Sequence, residues 1–442
     1  MSDQNNSVFE QRVASLRELL DQNDLDALIV SHDDEYLSYE LNEDEERLKY
    51  ITGFSGSAGY AVITRNDLKI NEESIEINQD NSENSTLVER DCAVFVDGRY
   101  VVQVKEQIDS DIFQDFDLAK VKPAKWISSV MPKNSTVGID INCVSYEEYI
   151  SIKNELGMNN INLVATENNL VDKIWTDKPA SVISEISIFP DEYNGCPSPQ
   201  KRQLIAQTLR DKDLDATVIC DPESICWLLN IRGKDRAYLP VINCKMVAYS
   251  NEALEWYINP NHFKDENLQD QLQEHIGHID IFPEEAFDDV LDRLCSSSCT
   301  VYVDPETTNA HVMTKLYSGG AKVSEGLGLC QMPKACKNHI EVAGEYKAHI
   351  KDGIAMCRFI SWLDNLTALD KPTDSDETFL RRVEGVDEAE LAARALSFRK
   401  VEAGFIEPSF ATISALGPNA AMCHYNHENE ATPRALGKDC LY

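Results

Sequence analysis

Near the N-terminus, "LRELLDQNDLDALIVS" follows apolar residues at helical spacing (Val13, Leu16 and Leu20) with a polar turn and a short β-branched run. "LIAQTLRDKDLDATVIC" repeats the pattern. Aligning Leu25-Asp26-Ala27 with Leu214-Asp215-Ala216 gives an offset of 189 residues, and each stretch leads into an acidic turn, "HDDEY" or "DPESI". Farther on, "STVGIDINCVSYEEYISI" matches "CTVYVDPETTNAHVMTKL", with Asp140 falling on Asp304 at an offset of 164. Order and direction agree between the two matches. The pattern therefore predicts a duplicated α/β unit: a helix, a buried strand, further strands, then a strand that ends in Asp and runs into a helix. The first copy covers residues 1–176 and the second 177–331, with "TDKPASV" as the linker.

Two stretches depart from this pattern. "NEESIEINQDNSENST", residues 71–86, is polar and poor in aromatics, a composition that predicts a mobile excursion between two strands. From 332 the texture changes. "KNHIEVAGEYKAHIKDGIAMCRFISWLDN" sets Ile340, Ala343, Tyr346, Ile350, Ile354 and Cys357 on one stripe and predicts a long amphipathic helix, despite Gly353, which costs about 1 kcal/mol against Ala. "EAELAARALSFRK" predicts a second helix. "SFATISALGPNAAMCHY" reads as two β segments around a Gly417-Pro418-Asn419 turn, and the closing "CLY" as the start of another strand. These make a third domain, 332–442.

Charge and cysteine usage narrow the function classes. The 41 Lys and Arg against 76 Asp and Glu leave a net charge of −35, and so acidic a surface repels phosphate backbones. Nucleic-acid binding is not expected; basic partners remain open. The first residues lack a basic stretch followed by an apolar one, and no run approaches the roughly 18 apolar residues of a membrane span. The 13 cysteines, odd in number and without a CxxC pair, fit reduced thiols in a cytoplasm.

Several motifs carry candidate chemistry. In "ITGFSGSAGYAVI", Gly53, Gly56 and Gly59 miss the dinucleotide fingerprint and precede a strand, so a tight turn packing backbone against backbone is expected. "VFVDGRY" ends a strand in a sharp turn and presents Arg99, a cation suited to a carboxylate or carbonyl, or else paired with Asp97 on the surface. Trp175 in "NLVDKIWTDKP" is expected to pack. His424 and His427 are three apart, with Glu428 and Glu430 nearby, in a loop that offers no regular face for a metal. Beside Tyr425, at the end of an expected strand, His424 suits an electrophile or proton donor near neutral pH.

Together these stretches resemble a family. "YITGFSGSAGYAVIT", "VFVDGRYVVQV", "NLVDKIWTDKP", "WLLNIRG", "AHIKDGIAMCRFISWLD" and "PSFATISALGPNAAMCHY" follow the order and spacing of the three-domain cytosolic Xaa-Pro aminopeptidases, aminopeptidase P, among the pita-bread metallopeptidases. The resemblance runs from about residue 12 to the end. It implies an α/β chain of two tandem creatinase-like N-terminal domains followed by the first part of a pita-bread (α+β) catalytic domain. It also implies removal of the first residue from peptides with proline in second position, two divalent metals (Mn²⁺, sometimes Zn²⁺), a homodimer and a cytoplasmic location.

Carried over residue by residue, the resemblance makes Arg99 substrate-binding and His424 a substrate-binding, catalytic residue; His427 has no counterpart. Pro408 and Ala411 stand where relatives usually show an apolar residue and a proline, and the 71–86 insertion is unusual. The family's metal-binding aspartates, histidine and glutamates would follow Tyr442. No metal ligand is therefore assigned within the 442 residues, which are expected to be the front part of a longer enzyme and inactive alone. A non-catalytic module that binds basic proteins on the same scaffold, like the pita-bread domain of a histone chaperone, is the alternative.

Overall fold

The computed structural model describes residues 2–65, 76–78, 85–265, 267–368, 381–429, 432–438 and 440–442. The chain forms two compact units, one of residues 1–191 and 196–336, the other of 192–195 and 337–442.

Two six-stranded sheets build the larger unit. The first comprises β1 (Ala27–Ser31), β2 (Tyr60–Thr64), β5 (Cys92–Val96), β6 (Phe113–Asp117), β7 (Thr136–Ile139) and β8 (Asn162–Ala165), in the order β6-β5-β2-β1-β7-β8. The short pair β3 (Glu76–Asn78) and β4 (Ser85–Leu87) stands apart from it. The second sheet comprises β10 (Ala216–Ile219), β12 (Cys244–Tyr249), β13 (Leu254–Ile258), β14 (Asp280–Phe282), β15 (Thr300–Val303) and β16 (Lys322–Glu325), in the order β14-β13-β12-β10-β15-β16. A two-residue pair, β9 (Ser187–Ile188) with β11 (Ile231–Arg232), lies outside it.

The two orders are one topology. β1 runs antiparallel to β2 and parallel to β7, as β10 does to β12 and β15. Both faces of the first sheet are covered, which is why β1 reads as an unbroken apolar run. Ala27 and Ile29 pack on one side with Trp126 and Ile152, and Leu28 and Val30 on the other with Leu16 and Leu20.

Repetition extends to single carboxylates. Asp26 accepts the Thr136 amide at 2.8 Å and Asp215 accepts the Thr300 amide at 2.8 Å, each tying the strand's entrance to its parallel neighbour. Asp140 and Asp304 each accept the amide two residues on, at 2.9 and 3.0 Å.

The copies meet reciprocally at this second motif. Tyr146 N–H donates to the Thr308 carbonyl and Ala310 N–H to that of Val144, while Glu147 donates to Pro305 and His311 to Ile141. Every contact maps onto its partner at the 164-residue offset, so the duplicated halves form an intrachain pseudo-dimer. Ser145 and Asn309, each capping the helix that follows, pair across the pseudo-axis.

Around this axis the first copy's acidic turn enters the second copy. Buried Arg236 donates to Asp34, both oxygens of Glu45, the Glu40 carbonyl and Asn243, so its whole donor fork is engaged. Buried Lys245 pairs with Glu35 and, at 3.5 Å, with Glu284, which also accepts the Tyr36 hydroxyl.

The stretch expected to be a mobile excursion contains a strand pair. Within 71–86, Glu76–Asn78 pairs antiparallel with Ser85–Leu87 because Ile77, 1% exposed, supplies the apolar anchor that the average composition conceals. Residues 71–75 and 79–84 lie outside the described residues.

The smaller unit packs two helices, His339–Thr367 and Glu388–Lys400. Asn338 and Glu341 form a capping box at the start of the first. Its buried face is Ala355 and Phe359, against Leu391, Ala395 and Leu416. The stripe expected from the sequence points elsewhere: Tyr346 is 71% and Ile350 63% exposed.

A second expectation also needs correcting. Neither segment around Gly417-Pro418-Asn419 is a strand, nor is "CLY", and His424 lies on a turn before a 3-10 turn at His427–Asn429. Strands require paired neighbours, and among the described residues of this unit the backbone pairing of that kind is a single bridge, Asp387 with Ala435. Gly417–Ala421 forms a 3-10 turn instead. The Leu416 amide goes to a carboxylate, and the Gly417 amide to the Leu441 carbonyl.

Candidate substrate site

The register Tyr60↔Phe95 sets the end of the glycine stretch beside the end of β5. There the buried strand Cys92–Val96 delivers Asp97-Gly98-Arg99 to the surface. Asp97 accepts the Arg99 amide at 2.9 Å, which closes the turn, and takes the guanidinium in two bonds, Nε at 2.9 Å and a terminal nitrogen at 2.7 Å. This is the Asp97 pairing anticipated beside the substrate-binding role. Arg99 remains 40% exposed at its side chain, and hydrogen bonding to Asp97 raises its pKa further.

The turn rests on Tyr100, which is fully buried, edge-on to Phe54 at 5.5 Å. Its hydroxyl accepts the Ser57 amide at 3.1 Å and lies 2.6 Å from the Ser57 hydroxyl. Gln107 accepts the Ser55 amide and donates to the Ser55 hydroxyl, both at 2.9 Å, and Gln103 donates to the same hydroxyl at 3.3 Å. The glycine stretch is thus clamped onto the Arg99 turn.

Its glycines have steric causes. Gly53 ends a helix at φ +85°, a left-handed conformation, and a Cβ on Gly56 would lie 2.2 Å from the Phe54 ring. Sequence reasoning missed Ser57, Tyr100, Gln103 and Gln107. The signal was the i, i+4 glutamine pair in "QVKEQ", a polar face where an apolar one would be expected. Trp175 packs as expected, stacked on Tyr50 at 4.6 Å.

His424 belongs to the smaller unit. It is half-buried and adjoins Tyr425, which is 4% exposed and donates to Glu388 Oε2 at 2.7 Å. Glu388 is fully buried. Its Oε1 accepts the Leu416 amide at 2.7 Å and the Asn419 side-chain amide at 3.0 Å, and its Oε2 accepts the Arg434 amide at 2.9 Å. Burial would push its pKa up, but the bonds from Tyr425, Leu416, Arg434 and Asn419 hold it below the usual glutamate value.

His427 lies three residues on, with a buried Nδ1 that has no hydrogen-bond partner among the described residues. Among those residues no group of three or more His, Cys, Asp and Glu gathers where an ion would sit. The described donor set does not fit a pair of divalent ions, which requires bridging carboxylates.

The Creatinase/Prolidase N-terminal domain description matches twice, over residues 12–174 and 177–341, and Metallopeptidase family M24 matches 343–441. In order along the chain these are two creatinase-like N-terminal domains followed by an M24, pita-bread domain.

A Drosophila melanogaster protein named Xaa-Pro aminopeptidase ApepP is 28% identical over 98% of this chain and 65% of its own length. A Talaromyces marneffei protein named "Probable Xaa-Pro aminopeptidase P" is 30% identical over 95% of this chain and 59% of its own. The fold matches the X-prolyl aminopeptidase of Caenorhabditis elegans, described as a cytosolic enzyme with a di-nuclear active site, at a TM-score of 0.83 and 22% identity, over 98% of this chain and 66% of that one. The chain spans less than two thirds of the length of each of these relatives. Among its described residues no helix is long and apolar enough to cross a membrane.

Proposed function

We propose that this chain serves an Xaa-Pro aminopeptidase, which releases the first residue of peptides whose second residue is proline. The supporting observation is the ordered succession of two creatinase-type domains and an M24 domain, shared with relatives that carry that name. In this reading Arg99 binds the peptide and His424 contacts the scissile region. The guanidinium offers planar donors to a carboxylate or carbonyl, and the imidazole donates a hydrogen bond to the oxygen on which charge develops.

The domains run 1–176, 177–331 and 332–442. The working protein is a cytoplasmic homodimer. The working enzyme would take two divalent metal ions, Mn²⁺ first and Zn²⁺ second, which would supply Lewis-acid chemistry; no residue of these 442 is assigned to hold them. The test is a pair of peptides, X-Pro-X and X-Ala-X, given to the protein as produced from its own gene. Release of the first residue from the proline peptide alone supports the assignment. Salt-sensitive capture of basic proteins without turnover favours the binding-module reading suggested by the −35 charge.

A further inference from the structure

We infer that Glu388 is a positioning residue: its buried carboxylate ties Leu416, Asn419, Tyr425 and Arg434 to one point and so sets where His424 stands. This rests on the reading of His424 as a substrate contact, and goes beyond it by naming the group that fixes that contact.

The two oxygens of Glu388 divide the work. Oε1 takes the Leu416 amide and the Asn419 side chain at the start of the segment. Oε2 takes the Tyr425 hydroxyl in the middle and the Arg434 amide at the end. Backbone bonds close the same loop, from Glu388 N–H to the Arg434 carbonyl at 3.1 Å and from Leu436 N–H to Val386 at 2.8 Å. His424 is the immediate neighbour of Tyr425, so its Cα is placed by a tethered, buried ring. Because the segment has no sheet of its own among the described residues, these side-chain bonds replace the ladder that would otherwise hold it.

Glu388 is the first residue of a 13-residue helix capped by Asp387, where the helix dipole favours a negative charge. A neutral amide of the same shape cannot accept on both ends. Glu388→Gln therefore keeps the packing and removes part of the grip.

The experiment uses the 442-residue chain with ¹³C-labelled histidine, the His424 ring signal being assigned by its absence in His424→Ala. In Glu388→Gln the His424 signal is expected to shift and broaden, while those of His262 and His275 in the larger unit stay in place. Tyr425→Phe, which removes one bond of the set, is expected to move it less, in the same sense. An unmoved His424 signal in folded Glu388→Gln overturns the inference. If that variant does not fold, an unmoved signal in Tyr425→Phe overturns it.

In the metal-loaded, peptide-hydrolysing protein, Glu388→Gln is expected to lower kcat about 10- to 100-fold with little change in KM. Should His424→Ala leave kcat intact while Glu388→Gln still moves the ring signal, the catalytic reading fails and the positioning stands.

Discussion

At the scale of single residues, Arg99 and His424 make opposite demands on an experiment. Arg99 sits at the surface in a pair with Asp97, and exposed pairs contribute about 0–1 kcal/mol. Arg99→Ala should therefore leave thermal stability nearly unchanged while raising KM for an X-Pro peptide about tenfold, the equivalent of one good polar contact. An unaltered KM would return Arg99 to a purely local role. His424→Ala should lower kcat about 100-fold with KM largely kept, as for loss of one donor to a developing charge; steady-state kinetics on both variants checks the pair. Both residues could be singled out as candidates because "DGRY" and "HY" are short and local. Glu388 was not, since its partners lie 28 to 46 residues away and nothing in "DEAEL" announces a buried carboxylate.

At the scale of elements, the sequence was most informative where one element's neighbours lie in the same copy. Ala27–Ser31 and Ala216–Ile219 were readable as buried strands because both faces of each are apolar. The segments around Gly417 were misread because "FATIS" has strand composition, while strand formation depends on a partner that composition does not reveal. The same limit explains the helix His339–Thr367. Its stripe through Tyr346 and Ile350 is genuine as a pattern, but Phe359 and Ala355 are what its neighbour helix buries.

The pseudo-axis offers a test at this scale. Ser145 accepts one amide, from Glu148, whereas Asn309 accepts that of Val312 and also donates to the Glu35 carbonyl at 2.8 Å. Ser145→Ala should cost about 1 kcal/mol and Asn309→Ala more, by chemical denaturation. Equal losses would mean that the Asn309–Glu35 bond contributes nothing.

At the scale of the whole molecule, the larger unit is joined across its two copies by buried charge. Arg236→Ala leaves Asp34 and Glu45 without their cation and should destabilise by about 3–5 kcal/mol, far more than an apolar replacement of all three. The same region sets a pH dependence. Burial pushes Asp33 up to about 7, with Glu148 and Asp34 adding to it, and burial pushes Glu46 up to about 7. The folded chain keeps these protons after the unfolded chain has lost them. Their effect is therefore a stability that falls as pH rises to about 7, from 3.8 for Asp33 and from 4.5 for Glu46. Glu46→Gln should flatten that fall and raise stability at pH 8 by roughly 1–3 kcal/mol. Burial lowers His32 to about 4, with Asp34 partly offsetting it, so this group acts in the opposite sense and costs stability as pH drops below about 6.5.

Activity on peptides is measured most directly as release of the N-terminal residue from matched X-Pro-X and X-Ala-X peptides by the protein as its own gene produces it, with Mn²⁺ present and then chelated. Release is expected from the proline peptide only, abolished by chelation and restored by metal. Equal cleavage of both peptides, or none of either with metal supplied, would overturn the Xaa-Pro aminopeptidase assignment.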